Sequence, residues 1–149
     1  MTLPILTIGD KKLKRKSKRI DKIDDTIRTL CASLVETMYA NNGIGLAAPQ
    51  VGIHKRIIIV DKGDKEPIIL INPEIIFSSE SLIEMEEGCL SVPNTFETLK
   101  RPESISVKFR DTKGRTHFNT YDGLIARVIQ HEIDHLDGKL FIEYLNEQK

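Results

Sequence analysis

The chain has no tryptophan, only two cysteines, and no stretch approaching the roughly 18 consecutive apolar residues that a bilayer span requires. The last shortage excludes a transmembrane helix. The opening MTLPILTIGD is too short, and too soon followed by charge, to act as a secretory signal, so the expected compartment is the cytoplasm. A reducing compartment gives Cys31 and Cys89 little reason to pair, and a role in a site is the better expectation for one of them. An excess of one charge is missing too. Lys plus Arg and Asp plus Glu number 22 each, so nothing draws the whole molecule to nucleic acid or an acidic membrane, and a basic partner site has to be local. Repeats and low-complexity segments are absent, and 149 residues suit a single domain, 1–149, that buries its core without a disulfide or structural metal.

One local excess of charge stands out. KKLKRKSKR, residues 11–19, has seven basic residues in nine, a composition that can neutralise the phosphates of a nucleic acid or a ribosome. No aromatics that stack on bases are interleaved with the charges, and the expectation is a solvated arm ahead of the first helix.

Asp24 or Asp25 can cap a helix running to about Tyr39, with Ile27, Leu30, Cys31, Leu34, Val35 and Met38 at helical spacing. Cys31 lies in that apolar stripe and reads as a small core residue. Asn41, Asn42 and Gly43 then stop the helix. Strands are expected over 56–60, 68–71, around 81–85, and through Ile105, Val107 and Phe109; a turn at 111–114 returns the chain along 116–120. Strands grouped between a first and a last helix point to an antiparallel α+β fold. Asp122 can cap the last helix and Gly138 can end it, with Ile125, Val128, Ile129, Ile133 and Leu136 on its apolar face.

That helix carries HEIDH, residues 131–135. Residues four apart share a face, so His131 and His135 can reach one metal ion while Glu132, about 100° around the helix, reaches a water beside it. With four histidines in the chain, a shuffled sequence would contain this pattern on the order of once in a hundred tries. A third ligand decides the class of enzyme. The metzincin pattern needs histidine where Phe141 stands, and Glu143 and Glu147 follow too closely to fold back from another element, so the ligand lies upstream. EEGCLSVP, residues 86–93, offers Cys89 beside a glycine in a polar segment. GIGLAAPQ, residues 43–50, adds glycines that let a backbone approach a ligand and Gln50, whose amide can donate to an oxyanion.

With GIGLAAPQ, EGCLS and HEIDHLDG in this order, the chain resembles the peptide deformylase family from about Leu3 to Leu145. The resemblance implies antiparallel β-strands packed around a central metal-binding C-terminal helix, with a helix near the N-terminus. It implies that Cys89, His131 and His135 bind one divalent ion, Fe(II) in the cell with zinc, nickel or cobalt as substitutes, and that Glu132 is general base and acid. It places the Gln50 side chain and the Leu90 N–H on the oxyanion, with Gly45 also in the catalytic set. Gly43, Ile44 and Gly45 would meet the substrate backbone as an added strand. Met85, Leu124 and Val128 would line a methionine pocket bordered by Glu87 and Gly88, Glu87 being paired with Arg101. The substrates implied are formyl-methionyl nascent peptides, with no membrane and no specific nucleic acid as partners; a ribosome contact near the exit tunnel through residues 11–19 is the minority reading.

The chain departs from many bacterial members at Phe96, where they carry arginine, and both that aromatic and Arg127 look like the plastid and cyanobacterial branch; Arg127, on the face of His131 and His135, is expected either to line the site mouth or to be an ordinary exposed helix arginine. Ending at Lys149, it resembles compact forms, some of them phage-encoded and active in a host cytoplasm. Two rivals remain: a small metallopeptidase, and a non-catalytic metal- or ribosome-binding module, which would have no use for Glu132.

Overall fold

Asp24 adopts extended backbone and its carboxylate accepts from the Ile27 N–H, which starts helix α1 at Asp25 and carries it to Ala40. Asn42, at φ 58°, turns the chain out of the helix. The computed structural model describes residues 1–144. Leu145, where the resemblance ends, and Glu147, set aside above as a ligand, lie outside the described residues.

Seven strands follow: β1 (Gly45–Ala47), β2 (Ile57–Val60), β3 (Ile68–Ser78), β4 (Leu82–Cys89), β5 (Val92–Pro102), β6 (Ser104–Arg110) and β7 (Thr116–Asp122), before helix α2 (Gly123–Leu136). Strands β1-β2-β3-β6-β7 form one antiparallel sheet in that order, and β4 and β5 form a separate ribbon. The expected α+β architecture is what the chain adopts.

Strand β2 explains how the helices are placed. Its four residues, Ile57, Ile58, Ile59 and Val60, are all fully buried. Successive side chains of a strand point to opposite faces, so Ile57 and Ile59 pack with Cys31, Leu34 and Met38 of α1, while Ile58 and Val60 pack with Ala126, Ile129, Ile133 and Leu136 of α2. Each such side chain contributes on the order of 1.5–3 kcal/mol through burial. Cys31 sits in the first of these layers at 1% exposure, and burial pushes its thiol up to about 11.

Several expectations need correction. Strand β5 was not foreseen, because Pro93 and Pro102 at its ends and the polar residues between read as loop; a two-stranded ribbon tolerates prolines that a central strand would reject. Asp122 stands at the start of α2, yet its side chain makes no capping bond. Residues 11–19 are not a loose arm. Lys11–Lys14 form a 3-10 turn that buries Leu13, the Ser17 N–H donates to the Leu136 carbonyl, and the Lys18 backbone bridges His54 and Arg56.

Candidate active site

Helix α2 presents His131, Glu132 and His135, and each is at least 94% buried. The ribbon brings Cys89 to them from the other side. Cys89 ends β4 just before the Leu90-Ser91 turn, and that tip is tied down where the Ser91 carbonyl accepts from Ile8 N–H at 2.7 Å and its hydroxyl accepts from Gln50 Nε2 at 3.1 Å. Cys89 Sγ lies 3.2 Å from His135 Nε2, and one ligand atom from each of Cys89, His131 and His135 falls within 4.8 Å of the others. A tetrahedral ion with sulfur at about 2.3 Å and nitrogen at about 2.0 Å would separate sulfur and nitrogen by roughly 3.5 Å. Cys89 and His135 already stand near that separation, and His131 lies within 4.8 Å of both, so the three donors suit such an ion.

The chemistry around them fits as well. Glu87 Oε1 accepts a hydrogen bond from His131 Nδ1–H at 2.9 Å, leaving Nε2 of that ring for a metal, the carboxylate-histidine arrangement common at metal sites. Arg101 grips the same carboxylate with Nε at 2.5 Å and Nη2 at 2.9 Å, and Arg127 Nη1 adds a fourth donor at 2.5 Å. Burial works against the Glu87 charge, but His131 and Arg101 overcome it and hold the carboxyl down at about 2. Burial likewise opposes a charge on His131, yet the Cys89 and Glu87 bonds win and raise it to about 10 in the metal-free cluster. His135, buried and facing a protonated His131, is pushed below the usual histidine range. Burial lifts Glu132 to about 7, with His131 opposing.

A cavity of about 500 Å³ opens beside these groups, lined by Gly43, Ile44, Gly45, Gln50 and Glu132 on one side and by Gly88, Cys89, Leu90 and Phe96 on the other. Leu124, Arg127 and Val128 of α2 complete the wall. Two glycines keep the wall close to its neighbours: a Cβ on Gly45 would sit 2.5 Å from Glu132 Oε2, and one on Gly88 would sit 2.6 Å from the Phe96 ring, so any larger residue forces those side chains to shift. Gln50 faces the site with its donor end, because its Oε1 accepts from Ala47 N–H at 2.9 Å while Nε2 points at Ser91 and, at 3.5 Å, at Cys89 Sγ.

Not every residue anticipated for substrate binding is placed to touch one. Met85 is outside the cavity lining, since it lies on β4 opposite Leu99. Glu87 borders the cavity, but its carboxylate is consumed by His131, Arg101 and Arg127. The Ile44 carbonyl accepts from Asp61 N–H, so the strand alternation leaves Gly45, not Ile44, with its backbone polar groups turned away from β2. Arg127 is a buried brace, 3% exposed, that also donates to the Ile83 carbonyl. Ser91, which orients Gln50, was overlooked; its position two residues after Cys89 in the same motif was the available signal.

The polypeptide deformylase family model matches residues 2–149. A peptide deformylase of a Synechocystis species is 51% identical over 140 residues, covering 91% of this chain and 75% of that one. The crystal structure of a Synechococcus elongatus peptide deformylase in complex with actinonin superposes with a TM-score of 0.91 at 44% identity, covering 94% of this chain and 76% of the other. That of a probable peptide deformylase from Synechococcus phage S-SSM7 gives 0.91 at 44% identity, covering 95% and 99%.

Proposed function

The chain belongs to the polypeptide deformylase family, and from that premise we propose that it removes the N-formyl group from formyl-methionyl nascent peptides, releasing formate. The observation that carries the reading is the convergence of Cys89, His131 and His135 beside a buried Glu132 at the end of one cavity. Cys89, His131 and His135 would hold a divalent ion, which we take to be Fe(II), with zinc, nickel or cobalt as substitutes suited to the same thiolate and imidazole donors. Such an ion supplies Lewis acidity, making a water acidic enough to be deprotonated near neutral pH and polarising the formyl carbonyl.

Glu132 takes the proton of the attacking water and returns it to the amine as the carbon–nitrogen bond breaks. Gln50 Nε2 turns from Ser91 and Cys89 to donate to the oxyanion, joined by the Leu90 N–H at the ribbon turn. The Gly45 N–H and C=O pair with the peptide backbone at the free edge of β1, extending the sheet by one strand. Leu124 and Val128 receive the methionine side chain, and Ile44 and Phe96, both exposed by half or more, form the lips. Arg101 and Arg127 hold Glu87 against His131 and so keep that ring aimed.

The test is formate release from formyl-Met-Ala-Ser by protein purified anaerobically with Fe(II), beside Cys89→Ala and Glu132→Gln. We expect turnover in the parent, loss of metal and turnover in Cys89→Ala, and retained metal with most turnover lost in Glu132→Gln. A fully active Glu132→Gln would sink the mechanism, and an inactive metal-loaded parent would sink the substrate. The thiolate among the ligands also favours a deformylase over a small metallopeptidase, whose third ligand is usually histidine or a carboxylate.

A further inference from the structure

Asp134 is the one polar residue of HEIDH to which the reaction assigns no part, and the fold joins it to a residue from beyond the helix. We infer that Asp134 and Tyr144 are positioning residues for His131, acting through Arg101 and Glu87. The inference rests on the deformylase reading for its effect on turnover, and on the geometry alone for its effect on the histidine and on metal binding. Tyr144 OH donates to Asp134 Oδ2 at 2.9 Å, and Arg101 Nη1 donates to the same oxygen at 2.9 Å. Arg101 in turn grips Glu87, which holds His131 Nδ1. Asp134, Tyr144 and Arg101 all lie outside the lining of the active-site cavity, so they act on the site without meeting a substrate held there.

The need for them lies in how Glu87 is shared. Its Oε1 accepts from both His131 Nδ1 and Arg101 Nη2, and its Oε2 from Arg101 Nε and Arg127 Nη1. A guanidinium is a planar fork that can present either of two edges to a carboxylate. Here the Nε/Nη2 edge faces Glu87 and leaves Oε1 in reach of the histidine. Turning to the Nη1/Nη2 edge would draw the carboxylate away from His131, and Asp134 opposes that turn because it already occupies Nη1. Tyr144 fixes the Asp134 oxygen with its hydroxyl and also stacks on Arg101, whose Cζ lies 4.9 Å from the ring centroid. Burial, with Asp134 beside it, pushes that hydroxyl up to about 12, so it stays a donor through the neutral range.

Tyr144 ends the short 3-10 turn Phe141–Glu143 that follows α2. Phe141 anchors this turn at 1% exposure, with its ring 5.7 Å from that of His131, and the Leu140 N–H donates to Glu143 Oε2 at 2.6 Å. The segment after α2 thus bears on His131 twice, directly through Phe141 and by the chain of hydrogen bonds from Tyr144. A bond that only fastened the turn could go to any nearby acceptor. This one goes to the oxygen that orients Arg101.

The test compares Tyr144→Phe, which keeps the ring on Arg101 and loses only the hydroxyl, with Asp134→Ala, beside Ile27→Val as a core truncation in α1. Zn(II) affinity is read by chelator competition, kcat and KM with formyl-Met-Ala-Ser at saturating metal, and exchange of the His131 Nδ1 proton by 15N-histidine NMR of the metal-free protein. Zinc affinity should fall about three- to tenfold in Tyr144→Phe, the loss of one hydrogen bond, and about 10- to 100-fold in Asp134→Ala. In both, kcat should fall in the same order, KM should stay within about twofold because the cavity lining is untouched, and the His131 proton should exchange faster. Ile27→Val should leave all of these unchanged. Unaltered zinc affinity and proton exchange in Tyr144→Phe, or losses that Ile27→Val reproduces, overturn the inference. A parent that binds zinc but releases no formate fails the deformylase reading alone, because affinity and proton exchange still decide this one.

Discussion

Gly45→Ala separates the chemistry of this site from its folding. Gly45 has no left-handed backbone to lose, so alanine is conformationally acceptable there and, by reducing the freedom of the unfolded chain, contributes roughly 0.4–1 kcal/mol of stability. Against this stands overpacking, typically about 1–3 kcal/mol, because the new methyl falls 2.5 Å from Glu132 Oε2 and 2.7 Å from Val128 Cγ1. The cheapest relief is for the end of the Glu132 side chain to retreat by about 1 Å, and a misplacement of that size at a reacting group costs roughly a hundredfold in rate. The three atoms nearest the new methyl belong to Glu132 and Val128, and none to Cys89, His131 or His135. We therefore expect kcat for formate release to fall about a hundredfold, metal content to stay at one ion per chain, and the thermal midpoint to move by only a few degrees. A kcat within threefold of the parent, with metal content matched, would refute the placement of Glu132 as base.

Three further outcomes follow from the same geometry. In the metal-free protein, Glu87 titrates at about 2 rather than at its ordinary 4.5, so the stability it contributes is present above pH 4.5 and is lost as pH falls toward 2; acid unfolding should show this steep dependence, and Glu87→Gln should flatten it. Thiol labelling at pH 7.5 of the metal-stripped native protein should modify the half-buried Cys89 and spare Cys31, whose burial holds its thiol at about 11, while unfolding exposes both; rapid labelling of both in the native state would contradict the packing of α1. Arg127→Leu removes one of the cations on Glu87 and the tie to Ile83, so metal affinity should drop by about 10- to 100-fold in chelator competition while turnover at saturating metal changes less. Unchanged affinity would show that Arg101 and His131 hold Glu87 without Arg127.

Much of the architecture was legible because local chemistry and tertiary demand agree. Both helices show a 3.6-residue apolar period and a plausible start, and β2 is so apolar that it has to be buried on two faces. The candidate ligands were legible for a different reason: histidines one turn apart and a cysteine in a polar glycine-bearing stretch are costly choices for anything but a site. The β4-β5 ribbon was half missed, since its second strand is specified by pairing with β4 rather than by its own composition. Arg127 shows the same limit. Helical spacing placed it on the face of His131 and His135, but its burial is made tolerable by the carboxylate of Glu87, 40 residues away in the chain, and by the Ile83 carbonyl.

The sequence by itself determined residue types, short-range periodicity and hence the helices, most strands, and the pair of histidines and glutamate that one helix must present together. Only the tertiary structure decided which distant groups meet them and how: that a separate ribbon carries Cys89 to within reach of both histidines, that Glu87 is bonded to His131, Arg101 and Arg127, that Met85 stays outside the cavity, and that the basic edge is pinned rather than loose. The physical reason is the range of the interactions. Helix and strand preferences are set within a few residues, whereas a buried charge or a metal ligand is made affordable by partners that the fold brings from 40 or more residues away.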